Sequence, residues 1–498
     1  MARPPTPLSP VTSRRGLVLL LIVATVPRLV HLKQPILGLQ AWRQADTAAF
    51  ARNYYENGFR FLYPQVDWGG DSDGVIESEF PLYSFAVAVA YAAFGVSETW
   101  GRLLSVLCAL ATIFFLYRLV EATIDRRTAF WTTLVYAALP MNVYYNRAFM
   151  PDTAMLAASV ASVYFFARWT DNARLRDFLL SALATALAAL LKLPALYLGL
   201  PLLYLAHRRF GAGGLKEVRV WVFGVLVLAP VALWYYHAHQ LFRTSGLTFG
   251  IWAYGADKWG NWELVSSFDY WNNILFKRIT ERNLTWVGFG LMIIGMLFPR
   301  RSARERVFDF WILAIVIYFV VVGQGNAAHE YYQLPFFLPA CVYVGKLYAR
   351  YFDFSLRPKA TVLLGLCLSG ILIASGLRYV YFYLAREDPG ISLFFYLARE
   401  VREKTPGDAR IVSFLGGDPS IFYWSHRKGW NARPAEVTDA LLDDLSRRGA
   451  DYAVGCHRDF DRAGALDRLE LVRARGESLL SEGVDCFVIA IGELPSSG

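Results

Sequence analysis

The sequence predicts an α-helical protein that crosses a membrane many times and ends in a small soluble α/β domain. Three observations lead there. Hydrophobic residues make up 55% of the 498 residues and charged ones only 18%, and mean hydropathy is +0.33; soluble domains carry about 25% charged residues. Apolar runs recur from Gly16 to Tyr383 with short polar gaps, many near the roughly 20 residues that a bilayer core requires of a helix. After Arg386 the pattern changes: Asp, Glu and Arg become frequent, and no run is long enough to span. The reading is therefore a transmembrane domain over 1–384, with a first outer loop at 33–100, and a soluble α/β domain over 385–498.

The N-terminus places Arg3, Arg14 and Arg15 before an apolar run at 16–26. No small-x-small cleavage site follows, because Pro27-Arg28-Leu29 leads straight on, so this is an uncleaved first span rather than a signal peptide. The net charge of +9 is dispersed in loops with no basic stripe, which argues against nucleic acid as a partner and for a positive-inside bias. Arg126-Arg127, Arg168 with Arg174 and Arg176, Arg208-Arg209, Arg300-Arg301 with Arg304 and Arg306, and Arg350 with Arg357 and Lys359 mark the inner loops.

Further spans follow near 101–120, 128–145, 153–168, 177–191, 194–206, 219–237, 285–298, 307–323, 333–348 and 360–380, about eleven in all. Counting Pro81–Val96 as a span would invert the Arg-rich loops, so it reads as an interfacial or re-entrant helix. Segments 33–100, 146–152, 238–284, 324–332 and the tail from Ala385 then lie outside. The expected location is a bacterial inner (plasma) membrane, with the active site and C-terminus on the periplasmic or exoplasmic side.

Those outer segments hold the candidate residues. In Gln40-Ala-Trp-Arg-Gln-Ala-Asp46-Thr, continued to Gly58, helical spacing puts Arg43, Asp46, Phe50, Asn53 and Asn57 on one face. The expectation is an amphipathic helix at the membrane surface, stopped by Gly58; a plain Arg43–Asp46 surface pair is the ordinary alternative. Asp152 follows Pro151 where one span ends and the next begins. There it would favour the positive end of a helix dipole, which by itself is a capping role. Lys192 interrupts an apolar stretch from Phe178 to Ala206 where a helical hairpin turns outside. A charge at such depth costs about 2.5–3.5 kcal/mol, which marks it as functional unless it snorkels to the interface. His329, Tyr331 and Tyr332 open a later span, with an interfacial belt as the commoner use of such a pair.

Taken in order, Trp42-Arg-Gln-Ala-Asp46-Thr-Ala, Phe80-Pro-Leu-Tyr83, Arg147 through Pro151-Asp152, Lys192-Leu-Pro194 and Tyr331-Tyr-Gln-Leu-Pro335 resemble the GT-C superfamily. They are most similar to the branch holding protein O-mannosyltransferases and lipid A aminoarabinose transferases. The likeness covers about residues 20–350. The resemblance implies that Asp46 is the catalytic acid of the first outer loop and that Asp152 shapes the acceptor or sugar site. It also implies a polyprenyl-phosphate-linked sugar donor and an acceptor that is a glycan, a lipid or a protein. Relatives often carry a Lys before the Pro of the first-loop motif, contacting the donor phosphate. Here the run is Glu79-Phe80-Pro81, which leaves Lys192, Arg43 and Arg147 as the available cations.

The chemistry suits these residues. A carboxylate can deprotonate an attacking hydroxyl while an oxocarbenium-like centre passes from donor to acceptor with inversion, and a lipid phosphate leaving group is best met by Arg or Lys. No phosphate-binding G-x-x-x-x-G-K-[S/T] loop is present and none is needed for an already activated donor. No cofactor is identified: the seven His are scattered along the chain, and a divalent metal stays open. The rival class is a transporter or flippase of lipid-linked sugars, which would predict internal repeats and broken helices at the midplane.

In the tail, 410–415, 451–456 and 486–491 read as strands and 437–448 as an amphipathic helix. Asp418 begins a run to Trp424 that could face the active site, a plain loop being the simpler reading. Cys456 and Cys486 stand at strand ends, either bridged in an oxidising compartment or buried as free thiols.

Overall fold

The computed structural model describes residues 14–250, 258–351, 359–385, 389–481 and 485–492. Arg3 and Arg357, used above to orient the chain, lie outside the described residues. The chain divides into two compact units, one of Met1–Leu32, Arg102–His237 and Gly250–Ala385, the other of Lys33–Gly101, Ala238–Phe249 and Arg386–Gly498.

The first, helical unit has a helix at each position where the sequence suggests a span after the first loop, and its opening helix is Arg14–Thr25. Two described helices, Glu98–Thr123 and Val218–Ser245, are long and apolar enough to cross a membrane by length and composition. Several others are shorter because proline interrupts them. The expected span at 128–145 breaks into Arg126–Ala138 and Pro140–Tyr145, with Leu139 extended between them. The 194–206 span starts as a 3-10 turn, Leu193–Leu198, before Gly199–Phe210. The 333–348 span likewise starts as Glu330–Phe336 in 3-10 form, with Pro335 inside, before Phe337–Tyr351. A proline ring removes a backbone donor and clashes with the turn before it, so each break falls where the sequence puts one.

Small residues set the packing. The helices Asp152–Asn172 and Leu175–Leu191 lie together through Ser162, whose hydroxyl meets that of Thr185 at 2.7 Å, and Ser181, which donates to the Ser162 carbonyl. A Cβ on Gly345 would stand 2.3 Å from the Thr132 hydroxyl, and one on Gly295 would stand 2.2 Å from the Tyr343 carbonyl. Close backbone approach with hydroxyl bonding is the packing mode of helices that meet in lipid. Along Val218–Ser245, Val218, Trp221, Val225, Leu228 and Leu233 are exposed, an apolar surface that water would not favour.

The second unit contains the only described sheet, four strands in the order β2-β1-β3-β4: β1 Arg410–Ser413, β2 Lys428–Asn431, β3 Tyr452–Cys456 and β4 Cys486–Ala490. β1 pairs in parallel with β2 and β3, and β3 pairs antiparallel with β4. The helix Asp439–Arg447, capped by the Thr438 side chain, packs Leu442 and Leu445 onto a core with Val412, Ala453 and Phe487. Cys456 and Cys486 are register partners and form a disulfide. β2 was not expected, because Lys-Gly-Trp-Asn has neither alternation nor strand-forming residues apart from Trp430.

Candidate active site

Asp46 sits in the helix Ala41–Glu56, which starts after Gln40 in a left-handed conformation and ends where Asn57 closes on the Asn53 carbonyl. Gly58 follows at φ +94°, the stop expected of it. The helix is not the amphipathic surface helix expected: every residue from Arg43 to Tyr54 is buried. Its alanines explain this, since Ala41, Ala45, Ala48, Ala49 and Ala51 favour helix and leave room for neighbours on all sides. One neighbour is the Leu82–Phe94 helix and another is the short C-terminal helix Ser420–Ser425.

Asp46 is 4% exposed. The indole Nε1 of Trp68 donates to its Oδ1 at 3.1 Å. Burial pushes its carboxyl up to about 8, against the opposing pull of the Trp68 hydrogen bond and the Arg43 charge, while Asp418 and Asp67 push in the same direction as burial. A carboxyl raised this far by an apolar setting is a mark of functional sites. The surface Arg43–Asp46 pair is likewise not what forms. Arg43 is buried, pairs with Glu79, and lies over the Phe249 ring at 5.0 Å. Glu79 thus neutralises a cation that the sequence left available for phosphate.

Four neighbours of Asp46 were not picked out from the sequence as its partners. Trp68 stands in Asp67-Trp-Gly-Gly-Asp71, where a Trp between acids and a Gly pair was the available signal. Asp67 holds Arg52 and accepts from Asn53 at 2.9 Å. Phe249 is fixed by backbone bonds that flank Glu77 and meets Phe50 and Trp68 edge to face. Asp418 accepts from the Ser420 N–H at the start of Ser420–Ser425, and its charge reaches Asp46; the segment read as a plain loop begins a helix.

The helical unit holds the remaining candidates. Asp152 opens its helix directly after Pro151, as the spacing predicts. Lys192 follows the last turn of Leu175–Leu191 in an extended conformation, so the helix ends where the sequence places this residue. Its Nζ is 3.6 Å from Asp152 Oδ1 and lies over the rings of Tyr331 and Tyr332 at 5.4 and 5.6 Å. At 6% exposure it is enclosed by protein rather than snorkelling. His329 stacks on Tyr331 with ring centres 5.5 Å apart. Asp152, Lys192, Tyr197, Tyr318, Tyr331 and Tyr332 line a cavity of about 20 Å³, room for about one water. Glu330, passed over in the sequence, accepts from Tyr145 at 2.8 Å and so ties this 3-10 turn to the Pro140–Tyr145 helix.

Arg147 is placed differently. Its guanidinium donates to the Val30 carbonyl at 2.5 Å and lies over the Tyr144 ring, which makes it a brace for the end of the first helix. Among the described residues, no three His, Cys, Asp or Glu side chains gather as a metal site.

Residues 78–237 match the family of dolichyl-phosphate-mannose-protein mannosyltransferases. No curated protein sequence matches the chain. Among solved structures, ArnT from Cupriavidus metallidurans bound to undecaprenyl phosphate is 16% identical with a TM-score of 0.64, over 96% of this chain and 98% of that one. The archaeal oligosaccharyltransferase AglB from Archaeoglobus fulgidus, with an inhibitory peptide and dolichol-phosphate, is 13% identical with a TM-score of 0.60, over 95% and 74%. The arabinofuranosyltransferase AftD from Mycobacteria is 14% identical with a TM-score of 0.56, over 97% of this chain and 40% of that one. The chain thus shares the fold of these ArnT, AglB and AftD structures, and over residues 78–237 it is similar to the dolichyl-phosphate-mannose-protein mannosyltransferases.

Proposed function

We propose that this is a multi-pass membrane glycosyltransferase that moves a sugar from a polyprenyl-phosphate donor to an acceptor hydroxyl on the exoplasmic side, with Asp46 as general base. The observation that carries the reading is Asp46 itself, a carboxylate buried in an alanine-rich helix, bonded by an indole N–H and raised to about 8. A base of that strength holds a proton near neutral pH and releases it readily, the balance that general base catalysis favours. Asp46 takes the acceptor's proton as the acceptor oxygen bonds to the anomeric carbon. The bond from that carbon to the phosphate oxygen breaks with inversion, and polyprenyl phosphate leaves with the electron pair.

Lys192 suits the lipid phosphate. Its contact with Asp152, at 3.6 Å, is long for a charge-assisted hydrogen bond, and a phosphate oxygen would offer it a closer anionic partner. Arg43 and Arg147 are less suited, being held by Glu79 and the Val30 carbonyl. The acceptor class, among protein, lipid A, O-antigen and exopolysaccharide, is tested by glycan profiling of a strain lacking this chain. One sugar should disappear from one envelope glycan while its lipid-linked donor accumulates. The same loss of sugar with the donor trapped on the cytoplasmic leaflet would instead favour a flippase.

A further inference from the structure

The loop between residues 65 and 75 is tethered more heavily than a surface connection requires. At its base the Val66 N–H donates to the Gly74 carbonyl at 2.9 Å, and Gln65 bridges Val75 antiparallel. Its tip joins the C-terminal sheet. The Gly429 N–H donates to the Asp67 carbonyl at 3.0 Å, the Gly70 N–H donates to the Gly429 carbonyl at 2.7 Å, and Gly69 bridges Trp430. β2 is the outer strand, so the tip covers an edge that would otherwise offer unpaired backbone groups.

Gly70 lies at φ +69°, and a Cβ there would stand 2.5 Å from the Trp430 indole nitrogen. Only glycine permits that approach. Asp71 next accepts two bonds from Arg448, at 2.7 and 3.1 Å. Asp67 is anchored from the other side by Arg52 and Asn53, one turn and more beyond Asp46 on the same helix. Between these anchors, Trp68 rests its ring against Phe249 and donates to Asp46.

We propose that Trp68 is a positioning residue for Asp46, and that β2 of the C-terminal sheet sets its aim through the backbone pairing with residues 67–70. The proposal rests on Asp46 being the base. An indole N–H only donates, so it favours the carboxylate over the acid and leaves Oδ2 as the oxygen that receives a proton. The charged groups around Asp46 are Arg43 on its own helix, Asp67 in the loop and Asp418 from the C-terminal segment, with Glu79 paired to Arg43. The C-terminal segment therefore acts on the base in two ways, through the clamped loop and through Asp418.

The test is the titration of Asp46 in the full-length protein in lipid nanodiscs, with no substrate present. Infrared difference spectra between pH 5 and 10 follow the protonated carboxyl band, assigned by its loss in Asp46→Asn. Trp68→Phe keeps the ring and removes the donor, and should raise the midpoint by about one to two pH units. Gly70→Val, which unseats the tip, should raise it in the same direction, and Arg448→Ala, a surface change that leaves the fold intact, should do so more weakly. An unchanged midpoint in Trp68→Phe would overturn the role of Trp68. A shift in Trp68→Phe with none in either clamp variant would overturn the role of the sheet. Sugar transfer by Asp46→Asn would sink the catalytic reading while leaving this titration result standing, so the two failures are distinguishable.

Discussion

At the scale of single residues, the chemistry depends on how each charge is held. The Asp46 carboxyl lies well above its value in an unfolded chain, about 3.9, and reaches about 8 because burial disfavours the anion. Below pH 4 both states are protonated and the contribution to stability is complete. From there to pH 8 the unfolded chain has released a proton that the folded one retains, so stability falls as pH rises through that window. Asp46→Asn has no proton to lose, so its thermal midpoint in detergent should fall less than that of the wild type between pH 5 and pH 8. Identical pH dependence in both proteins would contradict the raised carboxyl. For Lys192, the proposed phosphate-binding role means that replacement by Ala should remove a charge-assisted hydrogen bond to the lipid phosphate. Affinity for undecaprenyl phosphate should weaken by roughly 10–150-fold in a binding titration. Normal binding by Lys192→Ala, with loss in Arg43→Ala or Arg147→Ala, would move the phosphate to another cation.

At the scale of elements, the C-terminal segment gives a direct check through its thiols. Cys108, Cys341 and Cys367 are free, and Cys456 is bridged to Cys486, so labelling the denatured, unreduced protein should modify three of the five cysteines. Five labelled thiols would contradict the bridge. Most helices were legible because apolar runs with proline and glycine punctuation specify them directly, as at Pro194 and Gly58, although the span read over 128–145 breaks at Pro140. What was not legible depends on contacts distant in sequence. The spacing of Arg43 and Asp46 reads as an amphipathic helix only if one face meets water. That both faces are covered, by Leu82–Phe94 and by Ser420–Ser425 more than 360 positions away, leaves no trace in periodicity. β2 is a strand because β1 and the 67–70 tip pair with it, not because its residues favour one.

At the scale of the whole molecule, order in the sequence was more informative than any one motif. Asp46, Asp152, Lys192 and the Tyr331-Tyr332 pair stand singly in a chain of 498 residues. The structure brings Asp152, Lys192 and both tyrosines together in the helical unit, and surrounds Asp46 with Trp68, Arg43 and Phe249 in the other. The partners of Asp46 come from chain segments near 43, 68 and 418, so no local window could have named them. The central claim is that Asp46 is the base of a sugar transfer from a polyprenyl-phosphate donor. It is tested most directly by purifying wild type and Asp46→Asn at equal expression and measuring transfer from the donor that accumulates in the deletion strain, as kcat/KM against pH. The wild type should rise toward a plateau with a midpoint near pH 8, while Asp46→Asn should bind donor normally, turn over about 10²–10⁴-fold more slowly, and lose that dependence. Near-wild-type turnover by Asp46→Asn, with the same rise toward alkaline pH, would contradict the claim.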